Sequence, residues 1–113
     1  MQITKKEIIT LIHVEITREE FCDNYSAMME DLYNKRIIDD RVPAEKVQAF
    51  HFMTPEAQNE KAQESFTSLL GLVHTATIRY IARSQGLDVD NYGYVDGSTG
   101  TIRSVFIQQG AHL

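Results

Sequence analysis

The chain reads as a mainly α domain of three or four helices, with a long central helix and a short C-terminal β-hairpin or irregular arm. Three observations predict this. Residues 54–86 place apolar side chains at alternating spacings of four and three, the period of a helix. Hydroxyl caps followed three residues later by a carboxylate occur at Thr4 and at Thr17. Beyond Gly86 the composition changes to turn residues, then to β-branched and aromatic ones.

A length of 113 residues suits one domain, divided into a helical core at about 4–86 and an arm at about 87–113. With 42% hydrophobic and 24% charged residues, the chain is too apolar for disorder along its whole length. A core of this size is adequate but not generous, so oligomerisation is an expected supplement. The net charge of -5 is uneven: residues 1–64 carry 13 acidic and 8 basic side chains, and the remainder carries three of each. Nucleic-acid binding is disfavoured, because phosphate neutralisation needs clustered Lys and Arg. No apolar run is long enough to span a bilayer and no signal peptide opens the chain, which sets a cytoplasmic expectation without a membrane. The single cysteine, Cys22, excludes an internal disulfide and suits a small buried apolar position.

In chain order, Ile3, Thr4, Glu7 and Ile8 supply the cap, box and staple of a first helix. The segment 8–16 is rich in β-branched residues and alternates at Ile12, Val14 and Ile16, so a strand is its alternative. Ile16, Thr17, Glu20 and Phe21 repeat the capping grammar and open a helix to about Lys35, with Phe21, Tyr25, Met28 and Leu32 on its apolar stripe. Asp39 to Pro43 reads as a connection, and Pro43 opens a short helix over 44–53 with Val47 and Phe50 inward.

The central helix then starts at Thr54, with Pro55 in its first turn and Glu56 near the positive end of the dipole, and stops at Gly86. Ala62, Phe66, Leu69, Val73, Ala76 and Tyr80 form one stripe; Gly71, Thr75, Ile78 and Ala82 form a second of smaller residues. Two stripes predict cover on more than one side. In the arm, residues 92–95 would pair with part of 101–107 across a turn at 96–100.

No catalytic, metal or cofactor signature stands out. The candidate ligand site is Gly97, Ser98, Thr99, Gly100 and Thr101 followed by Arg103, because a glycine turn can converge N–H groups on a phosphate while a guanidinium supplies charge. Arg79 and Arg83 would join it if the hairpin folded back on the helix. Asn91, Tyr92 and Tyr94 extend the same surface. The spacing is not that of a P-loop, since no Lys follows. Asp88, Asp90, Gly93 and Asp96 match part of a calcium loop, but Tyr92 and Thr99 stand where oxygen ligands belong, so a polar turn is preferred. Glu56, Glu60 and Glu64 share a helical face that reads as solvated. His74, within the apolar part of the helix, reads as a hydrogen-bonded core or interface histidine.

The functional expectation is a non-enzymatic binding protein without cofactor: a homo-oligomer, a dimer by preference, with the second stripe at its interface and the arm as recognition surface. The alternative is a binding protein for a phosphate-bearing small molecule, such as a nucleotide, held by the 97–101 turn and arginines at a subunit interface. A metal-dependent helical enzyme ranks last.

Overall fold

The computed structural model describes residues 11–68, 71–96 and 101–108. Their order is β1 (Leu11–Thr17), α1 (Arg18–Tyr33), α2 (Ala44–His51), α3 (Pro55–Thr67), α4 (Leu72–Ser84), β2 (Leu87–Asp96) and β3 (Thr101–Gln108). The described part is mainly helical, with an antiparallel sheet in the order β1-β3-β2. The expected first helix start at Ile3 to Ile8 lies outside the described residues, as do the 97–100 turn and the last five positions.

Segment 8–16 resolves in favour of the strand over its described part. In β1 the alternating Val14 and Ile16 are buried while Leu11, His13 and Glu15 are exposed, the period-two pattern of a strand with one covered face. Its partner is β3, with Ile16 opposite Ile102 and Val14 opposite Ser104. The C-terminal segment is therefore more than a short arm. β3 is the central strand of the sheet, and β2 flanks it antiparallel with Tyr92 opposite Phe106 and Tyr94 opposite Ser104. The extended run of β2 from Leu87 to Asp96 also removes the coiled backbone that a calcium loop starting at Asp88 requires.

Helix α1 begins as its capping box dictates. Thr17 Oγ1 accepts from the Glu20 N–H at 3.1 Å, and Glu20 reaches back to the Thr17 N–H at 3.5 Å. Phe21, Cys22, Tyr25, Met28 and Met29 are buried, and burial pushes the Cys22 thiol pKa up. Helix α2 buries Val47 and Phe50 and has Pro43 as its N-cap, one position earlier than a first-turn proline. Thr54 caps α3 by accepting from the Ala57 N–H at 3.2 Å.

The long helix over 54–86 is instead two helices, α3 with Ser68 as its C-cap and α4 with Gly71 as its N-cap. The break has a local cause. The Thr67 hydroxyl donates to the Glu64 carbonyl at 3.0 Å, the Ser68 N–H bonds to the Ser65 carbonyl, and the Gly71 N–H bonds to the Ser68 carbonyl at 2.7 Å. These short-range bonds compete with the helical ladder, as Ser and Thr side chains commonly do. A Cβ on Gly71 would lie 2.9 Å from Ser68 Oγ and 3.2 Å from the Ser68 carbonyl oxygen, so the turn closes tightly only around glycine. Gly86 ends α4 at φ +73°, a conformation that favours glycine.

The element against which the others pack is α1, which meets α2, α3, α4 and β1. Phe21, fully buried, lies edge-on to Phe66 of α3 with centroids 5.4 Å apart and 5.0 Å from the His74 ring of α4. Tyr80 of α4 donates to Asp31 of α1 at 2.7 Å, and Arg36 approaches the same carboxylate at 3.2 Å. That phenol hydrogen bond, with Arg36 beside it, holds the Asp31 pKa below the usual carboxylate range. Burial, and then Asp31, push the Tyr80 pKa up to about 12. Both predicted stripes are largely internal: Ala62, Phe66, Ala76, Ile78 and Ala82 are buried within this single chain. Of the second stripe, Ile78 and Ala82 are internal, while Gly71 and Thr75 are half-buried. The physical reason is that the two-sided cover comes from α1 on one side and β2 on the other.

Candidate functional site

Of the residues expected to hold a phosphate, the described Arg79 and Arg103 are not brought together by the fold. Gly97, Ser98, Thr99 and Gly100 lie outside the described residues. Thr101 and Arg103 are on β3, where Ile102, Ser104 and Phe106 turn inward to the core. Alternation therefore puts Arg103 on the face away from the helices, opposite Glu15 of β1. Arg79 sits on α4 and donates to the Val89 carbonyl of β2, a structural tie between helix and sheet. Arg83 is exposed in the last turn of α4, where its charge complements the helix dipole. Asn91, Tyr92 and Tyr94 lie on β2. Of the described arginines, Arg79 is thus tied to the helical side of the sheet while Arg103 lies on its outer face.

A different site is assembled at the α3–α4 corner. A cleft of about 400 Å³ opens there, walled by Tyr25 of α1, Lys46 of α2, Lys61 and Ser65 of α3, and Gly71 and His74 at the start of α4. Among the described residues, two buried polar atoms of its lining residues, Ser65 Oγ and His74 Nε2, have no hydrogen-bond partner. The other imidazole nitrogen, Nδ1, lies 2.9 Å from the Ser65 carbonyl. A carbonyl can only accept, so Nδ1 carries the proton and neutral Nε2 is left as a bare acceptor. Each unpartnered buried polar group costs about 1–3 kcal/mol.

The electrostatics of the cleft are mixed. Arg41 and Lys46 sit at its rim with Lys61, while Glu64 faces the same space. Lys61 pairs with Glu64 at 3.5 Å and Arg41 with Asp39 at 3.4 Å. Among the described residues Lys46 makes no such pair. Burial, then the nearby Glu64 charge, push the Tyr25 phenol pKa up to about 12, so it remains a hydrogen-bond donor at neutral pH. Glu56, Glu60 and Glu64 are all exposed, as a solvated face requires. Among the described residues no three His, Cys, Asp or Glu side chains are placed to hold a metal ion.

A second opening of about 630 Å³ lies between the end of α1 and α2, lined by Leu32, Tyr33, Ile37, Ile38, Val42 and Val47. Lys35, Asp39, Asp40 and Gln48 share its lining with these apolar residues. Tyr33 stacks on His51 at 3.7 Å between centroids, and Phe52 stands edge-on to both rings.

No known family, curated protein or solved structure matches this chain. The assignment of function rests on the geometry alone.

Sequence reasoning singled out His74 but missed Tyr25, Lys46, Lys61 and Ser65 as its neighbours. Periodicity along one helix carries no signal for groups brought together by a corner and by two other helices. The local cue was the Thr67, Ser68 and Gly71 set within an otherwise apolar helix.

His74 also gives a pH dependence. Burial lowers its pKa, although the Ser65 hydrogen bond opposes this. The unfolded chain binds a proton near its ordinary value of about 6.5 while the folded chain resists it, so the unfolded state holds more protons in that window. The stability contributed by neutral His74 is therefore present above about pH 6.5 and declines as pH falls toward the lower folded pKa. Urea unfolding at a series of pH values measures the effect, with a slope of at most about 1.4 kcal/mol per pH unit from this one group. His74→Leu flattens that part of the profile. An unchanged slope in the variant would show that the acid sensitivity arises elsewhere.

Proposed function

We propose that this chain is a non-enzymatic binding protein, built as one domain, that acts in the cytoplasm as a homo-oligomer, most simply a dimer. The observation that carries this reading is the apolar surface where α1 and α2 end. Ile38 is 84% exposed and Phe52 73% exposed, and Tyr33 links the two through the groove and the His51 stack. Contiguous apolar patches of this kind mark interaction surfaces in soluble proteins. The interface of this proposal therefore lies on the α1–α2 end instead of on the Ile78 and Ala82 stripe, which is internal. Among the described residues no helix is long and apolar enough to cross a membrane, in keeping with association through protein surfaces.

The test is the solution mass of the wild type and of the Ile38→Glu, Phe52→Glu double variant. A charge placed in a buried apolar contact must be desolvated without a partner, so the double variant is expected to run as a single chain while the wild type runs as a dimer. Both positions are exposed in the isolated chain, so thermal stability at low concentration should change little. A wild type that is monomeric at tens of micromolar would sink the proposal.

The second reading remains a phosphate-bearing small molecule; Gly97, Ser98, Thr99 and Gly100 of its turn lie outside the described residues.

A further inference from the structure

We infer that two copies of this chain interlock: Ile38 of each enters the groove between α1 and α2 of the other, and Lys35 meets Asp40 of the other copy at the rim. This rests on the dimer reading and names the contact that holds it.

The first observation is how Ile38 is presented. It is 84% exposed, although it stands on the rim of a groove of about 630 Å³. The backbone on both sides of it is tied down. Lys35 follows α1 at φ +60°, a left-handed conformation that residues with a side chain seldom adopt, and the Arg36 N–H closes the turn on the Asp31 carbonyl at 2.8 Å. On the far side, Asp39 accepts from the Arg41 N–H at 2.9 Å through its carboxylate and from the Val42 N–H at 3.2 Å through its carbonyl. Ile37 packs against the core and Val42 is buried in it. The loop therefore holds a large aliphatic side chain out in water with little backbone freedom left to lose on association.

The second observation is the groove itself. Leu32, Tyr33, Val42 and Val47 give it apolar walls, which the exposed Ile38 of the same chain does not fill. Projection and groove lie side by side. A twofold operation that seats Ile38 in the groove of a second copy seats that copy's Ile38 here, so two identical insertions form at once.

The third is charge. The rim carries both signs, with Lys35 at the end of α1 and Asp40 in the loop, both exposed. Asp39 is engaged within the chain by Arg41 at 3.4 Å. A groove suited to a foreign acidic or basic segment carries one sign, whereas a rim with one of each is complementary to itself.

The experiment is sedimentation of the full-length protein from micromolar to hundreds of micromolar. Ile38→Ala should weaken the dimer about tenfold or more and leave the melting temperature of dilute protein unchanged. Lys35→Glu and Asp40→Lys each set like charges against one another at both ends of the contact, and each should weaken it about tenfold. An equimolar mixture of these two variants should recover the dimer, because both rim contacts of the mixed pair again join opposite charges. Mixing does not repair a damaged fold. Lys35→Gly should raise the melting temperature of the dilute chain by relieving the left-handed backbone, yet weaken the dimer. A mixture that stays monomeric, or an Ile38→Ala dimer as tight as the wild type, overturns the interlock. If Phe52→Glu splits the dimer while Ile38→Ala and the charge variants leave it intact, the dimer reading stands and the interlock falls. A monomeric wild type removes both.

Discussion

Phe21→Ala should remove about 3–5 kcal/mol of unfolding free energy, a large share of the about 5–15 kcal/mol that holds a small domain together. Phe21 is 0% exposed, and its ring is where three helices meet. Tyr25 lies along the same helix at 6.5 Å between centroids, Phe66 meets it edge-on from α3, and His74 lies against it from α4. Truncation to alanine leaves a cavity that α1 cannot fill without losing its register on the other helices. Denaturant unfolding, followed by circular dichroism, reads the change in midpoint at constant slope. A loss below about 1 kcal/mol would mean that the site collapses freely, and α1 would then not be the central element.

Ser104 supports the second large effect, because two substitutions there should act in opposite senses. Ser104 is 1% exposed on β3, opposite Val14 of β1 and Tyr94 of β2. Among the described residues its hydroxyl has no hydrogen-bond partner. Ser104→Ala removes a desolvated polar group and should be neutral or stabilising by up to about 1 kcal/mol. Ser104→Pro deletes the ladder donor of a central strand and leaves a carbonyl unpaired, at a cost of about 2–4 kcal/mol. Thermal unfolding of the pair separates two pictures of the C-terminal region. If residues 101–108 were a loosely attached arm, proline would be tolerated nearly as well as alanine.

Much of the helical layer was legible beforehand. The α1 capping box, its inward stripe, the Thr54 cap of α3 and the Gly86 stop all depend on residues within a few positions of one another, and local chemistry specifies them. Val47 and Phe50 were found for the same reason. The strand character of Leu11–Thr17 was readable as an alternative, because β-branched residues alternated there. Its partner was not, since a strand's register depends on residues about ninety positions away.

The candidate site was the least legible part. A glycine-rich turn and nearby arginines suggested phosphate recognition. The backbone pleat then turned Arg103 outward and β2 occupied Arg79. His74 was visible as an odd residue on an apolar helix, whereas Lys46, Tyr25 and Ser65 became its neighbours only through the packing of α1, α2 and α3.

The division between the two levels follows the range of the forces involved. Caps, stops and apolar periods act over one or two helical turns, so residues such as Thr17, Glu20, Thr54 and Gly86 declare where helices start and end. The break between α3 and α4 escaped because the apolar period of the sequence runs through it unbroken. Only the tertiary structure decided that α1 stands at the centre and that β3 lies between β1 and β2. Those outcomes depend on which distant apolar surfaces exclude water together, a property of the whole chain that no local window contains.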